Sequence, residues 1–158
     1  MDILAGHLYF ISDEFFEQVQ DPYLKINYTT TKRPHYLAVR DQQTGLYWMV
    51  PCSSRIEKFE QILEKKRRYH KPTDTIKILN IQGQKTALLF QDMFPVAQKY
   101  IEKNYVRRGV SVSVASERTV SELTKNAEHV IGLIRRGIQF TPTQPDALRI
   151  ERLMLEEE

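Results

Sequence analysis

The feature that most constrains the fold is a pair of apolar segments, His35–Arg40 and Leu46–Val50, joined by a short polar turn. The turn, Asp41 to Gly45, ends in a glycine, which can take the positive φ that follows a type I turn. This arrangement predicts an antiparallel hairpin. Apolar and polar residues alternate only weakly in Tyr36–Val39, which indicates a strand covered on both faces.

Further strand and helix signals lie on both sides of this hairpin. The strand signals fall at His7–Ile11, Thr75–Ile81, Thr86–Phe90, Val110–Val114 and Ile138–Phe140, and Met93–Val96 is typical of a corner that covers the core. Helices are predicted after Ser12, after a Pro51–Ser54 corner with Ser53 or Ser54 as cap, at Ala97–Lys103, at Glu117–Arg136 behind the cap Ser116, and at Pro145–Leu155. This order of elements predicts an α+β fold, with helices packed on a compact, curved, mostly antiparallel sheet.

Length and composition narrow the class of protein. The 158 residues predict one domain, residues 1–158, with 41% hydrophobic and 27% charged residues. The longest apolar run falls well short of the ~20 residues that a membrane helix needs. The first residues lack the features of a secretory signal. A lone cysteine, Cys52, allows no internal disulfide, which fits a cytoplasmic protein.

The charge is unevenly distributed, although the net charge is only +3. Residues 1–24 contain five acidic residues and no Lys or Arg, whereas residues 25–71 contain eleven cations and four acidic residues. Because a local positive surface binds phosphates, the middle third is the candidate nucleic-acid face. A solvated, lysine-rich helix end explains part of the same charge.

Most common site classes lack their signature in this sequence. It has no Gly-rich phosphate loop and no nucleophile elbow. The four histidines have neither i,i+4 spacing nor cysteine partners, so we expect no zinc site and no other metal or cofactor. Cys52 is a candidate thiolate nucleophile, since it lies close to a helix start that would lower its pKa. The sequence identifies no histidine to orient it, and the alternative is a small residue packed at a strand end.

The residues that remain are polar and basic, and they flank the hairpin. They are Lys32 and Arg33 before its first strand and Ser53, Ser54, Arg55 and Lys58 after its second. Antiparallel pairing places the start of one strand beside the end of the other, so the two groups meet around one phosphate. The alternative interpretation is that the serines only cap a helix.

Such a cluster has the chemistry that RNA cleavage without a metal requires. The ribose 2′-hydroxyl attacks the adjacent phosphate, negative charge grows on its non-bridging oxygens, and a 5′-hydroxyl leaves. Cations and oriented hydroxyls stabilise that charge. A lysine, or a serine relayed to one, is a candidate general base.

The sequence resembles the endoribonuclease toxins of type III toxin–antitoxin systems, the ToxN/AbiQ/CptN group, and most closely the CptN branch. The resemblance rests on the order and spacing of four short motifs along nearly the whole chain: Leu8–Ser12, Lys32–Leu37, Pro51–Ser54 with Lys58, and Met93–Val96. It implies a barrel-like sheet similar to the MazF/Kid toxins. It also implies metal-independent, sequence-preferring cleavage to 2′,3′-cyclic phosphate and 5′-hydroxyl ends.

The resemblance further implies a partner and a set of site residues. The partner is an RNA antitoxin of pseudoknotted tandem repeats, which the toxin processes and which inhibits it in a closed assembly, in systems that act against phage or maintain plasmids. The family's hydroxyl pair corresponds to Ser53-Ser54, and its basic residue to Lys32 or Arg33, of which spacing to Tyr36-Leu37 favours Arg33. The family lysine two residues after the pair is Ile56 here, so Arg55 or Lys58 must replace it.

We therefore predict a catalytic set of Ser53, Ser54, Lys58 and Arg33. The predicted RNA-binding set is Tyr28, Lys32, Arg55, Lys65, Lys66, Arg67, Arg68, Tyr69 and Lys71, where cations and stacking faces alternate along the helix end. Two alternatives stay open at this stage. One is a non-catalytic RNA-binding module that uses the same basic face, and the other is a structural or partner-binding protein.

Overall fold

The structure is a computed structural model that describes residues 2–25 and 32–157. The described residues form nine β-strands and four α-helices. In chain order these are β1 Leu8–Ile11, α1 Asp13–Val19, β2 Pro34–Arg40, β3 Tyr47–Ser53, α2 Ile56–Arg68, β4 Ile76–Ile81, β5 Gln84–Leu89, β6 Phe94–Val96, β7 Ile101–Asn104, β8 Val106–Arg107, β9 Val110–Ser111, α3 Glu117–Arg135 and α4 Ala147–Glu156.

Seven of these strands form one sheet, and all its pairings are antiparallel. The order along the sheet is β4-β5-β3-β2-β1-β7, and β6 also pairs with β3. The strands β8 and β9 form a separate hairpin. The predicted α+β fold and the predicted β2–β3 hairpin are confirmed, and Gly45 has the expected positive φ of 74°.

The strand β3 is central because it has partners along both edges. One edge pairs with β2, and the other pairs first with β6, at Tyr47–Met49, and then with β5, at Cys52 and Ser53. The predicted Pro51–Ser54 corner is therefore wrong, since the strand continues to Ser53. Pro51 lies between the residues of β3 that pair with β6 and those that pair with β5. A proline has no backbone N–H, and at this position no hydrogen bond to either strand is lost.

Both faces of the β2–β3 hairpin are buried, which explains the weak alternation in the sequence. Tyr36 and Trp48 belong to a core on the side of α3, and Leu37 and Met49 belong to a second core with residues of α1 and α4. A third, smaller core joins α2 to β4 and β5 through residues that include Phe59 and Leu63. Phe59 and Leu63 lie four residues apart, so both face the sheet from the same side of α2.

The long helix α3 begins as predicted. The Oγ of Ser116 accepts a hydrogen bond from the backbone N–H of Thr119 (3.2 Å), and Gly137 follows the helix with a φ of 85°. Ser12 occupies the N-cap position of α1, but its hydroxyl makes no capping hydrogen bond.

Two predicted elements are wrong. The segment Ala97–Lys103 contains one short turn of 3₁₀ helix and then the strand β7, which extends the sheet beside β1. Long-range pairing overrides local helix propensity there. The segment Ile138–Phe140 is not a strand: Ile138 is 47% exposed, and the backbone N–H of Phe140 bonds to the side chain of Gln144 (2.6 Å).

None of the helices in the described part of the chain is long and apolar enough to cross a membrane.

Candidate active site

The two serines predicted as catalytic lie where β3 ends and α2 begins. Ser53 is the last residue of β3 and pairs with Ala87 of β5, and Ser54 is exposed. The Oγ of Ser53 accepts a hydrogen bond from the backbone N–H of Arg55 (3.1 Å), so the hydroxyl proton stays available for donation. The backbone C=O of Ser54 accepts from the N–H of Ile56 (2.9 Å).

Neither serine caps α2, which corrects the prediction of a helix cap. The N-cap residue is Arg55, an exposed side chain, and among the described residues no side chain bonds to the free N–H groups of the first turn. Pairing with β5 keeps Ser53 in the sheet, so the helix begins later than predicted. Two hydroxyls and the positive end of a helix dipole are therefore only a few residues apart.

Arg33 reaches the same end of β3 from the neighbouring strand. His35 of β2 lies opposite Pro51, and continuing this register by two residues sets Arg33 opposite Ser53. The Nη1 of Arg33 donates to the backbone C=O of Cys52 (3.3 Å). The structure thus brings together Arg33 and the serine pair, as the hairpin geometry predicted.

A buried histidine holds the backbone of Arg33. His35 is fully buried against Phe16 and Phe94, with ring centroids 6.3 and 5.5 Å away. Its Nδ1 lies 3.1 Å from the carbonyl oxygen of Arg33 and must carry the proton, because a carbonyl only accepts. Burial lowers the pKa of His35 to about 3, so the ring is neutral. His35 is a structural residue that fixes the start of β2.

The lysines predicted beside the serines lie apart from them. The Nζ of Lys32 pairs with Glu102 (2.5 Å), on the side of β7. Lys58 is exposed, and its charge acts on the buried Asp92. Burial raises the pKa of Asp92, and Lys25 and Lys58 oppose that rise. Neither Lys32 nor Lys58 lines the cleft described next.

Ser53 and Ser54 line an open cleft of about 170 Å³. Three apolar residues, Leu8, Ile81 and Val112, form part of its lining. Its polar lining outside β3 comes from four residues that the sequence did not single out: Gln84, Thr86, Tyr105 and Arg107. The cleft therefore places a guanidinium, an aromatic ring and several hydroxyls around the serine pair.

The four missed residues lie far from the β2–β3 hairpin in sequence: three of them belong to β5 and β8, and Tyr105 lies between β7 and β8. Gln84 and Thr86 lie on β5, which pairs with the end of β3. Tyr105 and Arg107 arrive because the backbone N–H of Tyr105 bonds to the C=O of Leu8 on β1 (2.8 Å). The sequence contains a signal for this hairpin in Val106–Val110, where two arginines precede a glycine that can form a turn between short β-branched segments.

The Cys52 alternative is not supported. Its thiol is buried, and burial raises its pKa to about 12. The thiolate that nucleophilic chemistry needs is therefore almost absent at neutral pH. Cys52 packs with the core beside Tyr36 and Leu88.

The basic end of α2 is a separate surface. Thirteen residues of helix place it ~20 Å from the serine pair. Lys66 donates to the hydroxyl of Thr75 (3.2 Å), and Arg68 lies 3.5 Å from Glu64. The remaining predicted RNA-binding residues of this end are all exposed: Lys65, Arg67, Tyr69 and Lys71. Tyr69 is 61% exposed, which suits a stacking platform.

Two further predictions concern Tyr28 and metals. Tyr28 lies outside the described residues. Within residues 2–25 and 32–157, the structure contains no group of three or more His, Cys, Asp or Glu side chains that could hold a metal ion.

Comparison with known protein families and with curated proteins found no match. Comparison with solved structures found a likeness to AbiQ, described as a lactococcal anti-phage endoribonuclease belonging to the type-III toxin–antitoxin system. The likeness covers 96% of each chain with a TM-score of 0.73 and 11% sequence identity. At that identity it shows a shared fold, and the fold implied by the resemblance in the sequence is confirmed.

Proposed function

We propose that this chain is an endoribonuclease toxin that cuts RNA by metal-independent transesterification and is inhibited by its own repeat-RNA antitoxin. The observation that carries the proposal is that Arg33 bonds to the backbone of Cys52, next to Ser53 and Ser54, which line an open cleft beside the N-terminus of α2. Arg33 itself is not among the lining residues of that cleft. The shared fold with a type III endoribonuclease supports the same reading.

The reaction needs only groups that an RNA strand and this site supply. A bond forms between the 2′-oxygen and phosphorus, and the bond from phosphorus to the 5′-oxygen breaks. The 2′-proton leaves to a base or water and the 5′-oxygen gains a proton, so protons balance. The products carry a 2′,3′-cyclic phosphate and a 5′-hydroxyl.

Each site residue has a role that follows from its position. The Oγ of Ser53 accepts from the N–H of Arg55, and no described residue accepts its O–H, so Ser53 can donate to a non-bridging oxygen. Arg33 supplies charge at the same strand end, and the first turn of α2 adds unpaired N–H groups. Removing one preorganised donor of this kind lowers a rate by roughly 10²–10³. Lys58 is exposed in the first turn of α2, outside the residues that line the cleft, and we propose it for proton transfer at the rim of the cleft.

The antitoxin RNA is proposed to bind over two surfaces. The cleft at Ser53 and Ser54 takes the strand that is cut. The exposed end of α2, with Lys65, Arg67, Tyr69 and Lys71, binds phosphates and stacks unpaired bases of the folded repeat. The separation of ~20 Å between the two suits a structured RNA that spans both.

The test is RNA cleavage in EDTA by the wild-type protein, by Ser53→Ala with Ser54→Ala, and by Arg33→Gln. Ser121→Ala, an exposed serine on α3, is the matched control. We expect the double variant and Arg33→Gln to lose activity by at least ~10² while Ser121→Ala cleaves normally. The 5′ ends should accept label from a kinase directly, since they carry hydroxyls.

Three outcomes would contradict the proposal: a requirement for magnesium, products with 3′-hydroxyl ends, or full activity of the double variant. Binding of RNA by the wild-type protein without any cleavage would instead favour the non-catalytic RNA-binding module. Expression with and without the antitoxin repeat tests the partner. Relief of toxicity that depends on the repeat RNA is the expected result.

A further inference from the structure

The β8–β9 hairpin is bonded firmly to the turn between β4 and β5. The Nη2 of Arg107 donates to the backbone C=O groups of Ile81 (2.8 Å) and Gln82 (3.0 Å), and its Nη1 donates to the Oε1 of Gln84 (2.6 Å). The side chain of Gln82 accepts from the backbone N–H of Ser113 (3.1 Å). The two hairpins therefore form one rigid wall.

A second open cleft, of about 490 Å³, lies between these hairpins. Gln84 and Arg107 line both this cleft and the one at Ser53 and Ser54. The two clefts are therefore adjacent: the first contains the serine pair, and the second extends to Arg108 and Val110 of the β8–β9 hairpin. We call the two clefts together the hairpin groove.

Arg107 and Gln84 keep donors free for a ligand. A guanidinium has five N–H groups, and the three hydrogen bonds of Arg107 leave two of them available. The Oε1 of Gln84 receives one of those bonds, so its NH₂ group can still donate. Because these side chains are already held in place, binding an anion to them costs little ordering entropy.

Arg108 occupies the hairpin turn with a left-handed backbone, at a φ of 53°. Its side chain is exposed, and no hydrogen bond or ion pair within the described ranges involves its guanidinium. The neighbouring Val106 and Val110 are 50% and 57% exposed. The hydrogen bonds of Arg107 anchor the hairpin, but no contact among the described residues explains an arginine at position 108.

The charge of the groove is uniform in sign. Residues 75–91 contain two lysines, residues 103–116 contain one lysine and two arginines, and neither segment contains an acidic residue. One of these cations, Lys85, pairs with Glu60 (2.7 Å). Of these cations, Arg107 and Arg108 line the clefts, and no lining residue is acidic, so a polyanion there meets no negative side chain.

We propose that the hairpin groove binds the sugar–phosphate backbone of single-stranded RNA beside the diester that is cut, with Arg107 and Arg108 as phosphate contacts. This inference rests on the proposed function, because it takes the serine pair as the end of the groove where the reaction occurs. It assigns a substrate-binding role to a hairpin that the catalytic cluster does not include.

The experiment measures RNA affinity in the background of Ser53→Ala with Ser54→Ala, so that the probe stays intact. The probe is a fluorescein-labelled single-stranded RNA of random sequence, titrated at several salt concentrations. Arg108→Asn removes the charge but keeps a residue that tolerates positive φ, and Arg108→Lys retains the charge. Arg152→Gln, an exposed arginine on α4, is the matched control.

We expect Arg108→Asn to weaken binding by roughly 5- to 10-fold, as expected for one partly screened charge-assisted contact. The slope of log affinity against log salt should fall by about 0.7, the value for one phosphate on a single strand. Arg108→Lys should retain most of that slope, and Arg152→Gln should change neither quantity.

Equal affinity and equal slope for Arg108→Asn and Arg152→Gln would overturn the groove proposal. Binding does not depend on cleavage, so this outcome is distinct from failure of the proposed function. If the wild-type protein cuts RNA and the serine variant does not, while Arg108→Asn binds normally, the site stands and the groove is refuted. If the wild-type protein cuts nothing, the salt slope still tests the groove.

Discussion

Replacing His35 with asparagine should remove a large part of the protein's sensitivity to acid. The neutral ring of His35 is fully buried and donates from Nδ1 to the carbonyl of Arg33 (3.1 Å). The amide nitrogen of asparagine lies close to the position of Nδ1 and can make the same bond, but it cannot titrate. Losing the ring weakens packing against Phe16 and Phe94 at every pH, so the informative quantity is the change of stability with pH.

The size of the effect follows from the two pKa values. The unfolded chain protonates His35 below its ordinary pKa of 6.5, whereas the folded protein keeps the ring neutral down to about 3. Because the unfolded state binds the proton first, the free energy of unfolding falls as pH falls from 6.5 towards 3. Linkage gives a loss of about 2 kcal/mol between roughly pH 7.5 and roughly pH 5.

The assay is urea denaturation of both proteins at these two pH values. All other titrating groups, including Asp92, are common to both proteins, so their contributions cancel in the comparison. The wild-type protein should lose about 2 kcal/mol more than His35→Asn on acidification. Equal losses in the two proteins would refute a buried, neutral His35, and with it the account of how the start of β2 is held.

Two further predictions concern Cys52 and Gly6. Cys52→Ala should retain RNA cleavage within about threefold. In the wild-type protein the Cys52 thiol should resist a disulfide reagent at neutral pH, because burial raises its pKa to about 12. Loss of cleavage in a folded Cys52→Ala variant would instead support a cysteine nucleophile. Gly6→Ala should lower the free energy of unfolding more than Gly137→Ala does. Both glycines have a positive φ, and Gly137→Ala, where the added Cβ meets open space, should cost about 1 kcal/mol. A Cβ at Gly6 would also lie 2.8 Å from the side chain of Val120. Equal midpoints in urea would contradict the steric argument.

Sequence patterns predicted the elements that depend on interactions between residues close together in the chain. The β2–β3 hairpin follows from its turn, and the start of α3 follows from a serine that caps it. The sequence predicts a corner at Pro51, because a proline usually ends a strand. In the structure the strand continues, since Pro51 lies where the partner of β3 changes from β6 to β5. Residues 97–103 have a helical composition, but β1 offers them an unpaired edge.

The candidate site divides in the same way. Arg33 and the serine pair could be predicted as neighbours, because one hairpin brings them together. The wall formed by Gln84 and Arg107 could not, since it depends on β5 pairing with β3 and on Tyr105 bonding to Leu8, contacts between segments far apart in sequence. The periodicity of apolar residues indicates which face of a strand is buried, but it does not indicate which distant strand pairs with it.

The structure also separates two cations that the sequence left as alternatives. Lys32 and Arg33 are adjacent in sequence, but their side chains contact different strands. Lys32 pairs with Glu102, whereas Arg33 bonds to the carbonyl of Cys52 beside the serines. A guanidinium keeps its proton and forks onto phosphate oxygens, so it stabilises charge and does not accept the 2′-proton. Under the proposed function, a site centred on Arg33 gains its rate mainly from electrostatic stabilisation. That contribution does not depend on a lysine at position 56, where this chain has Ile56.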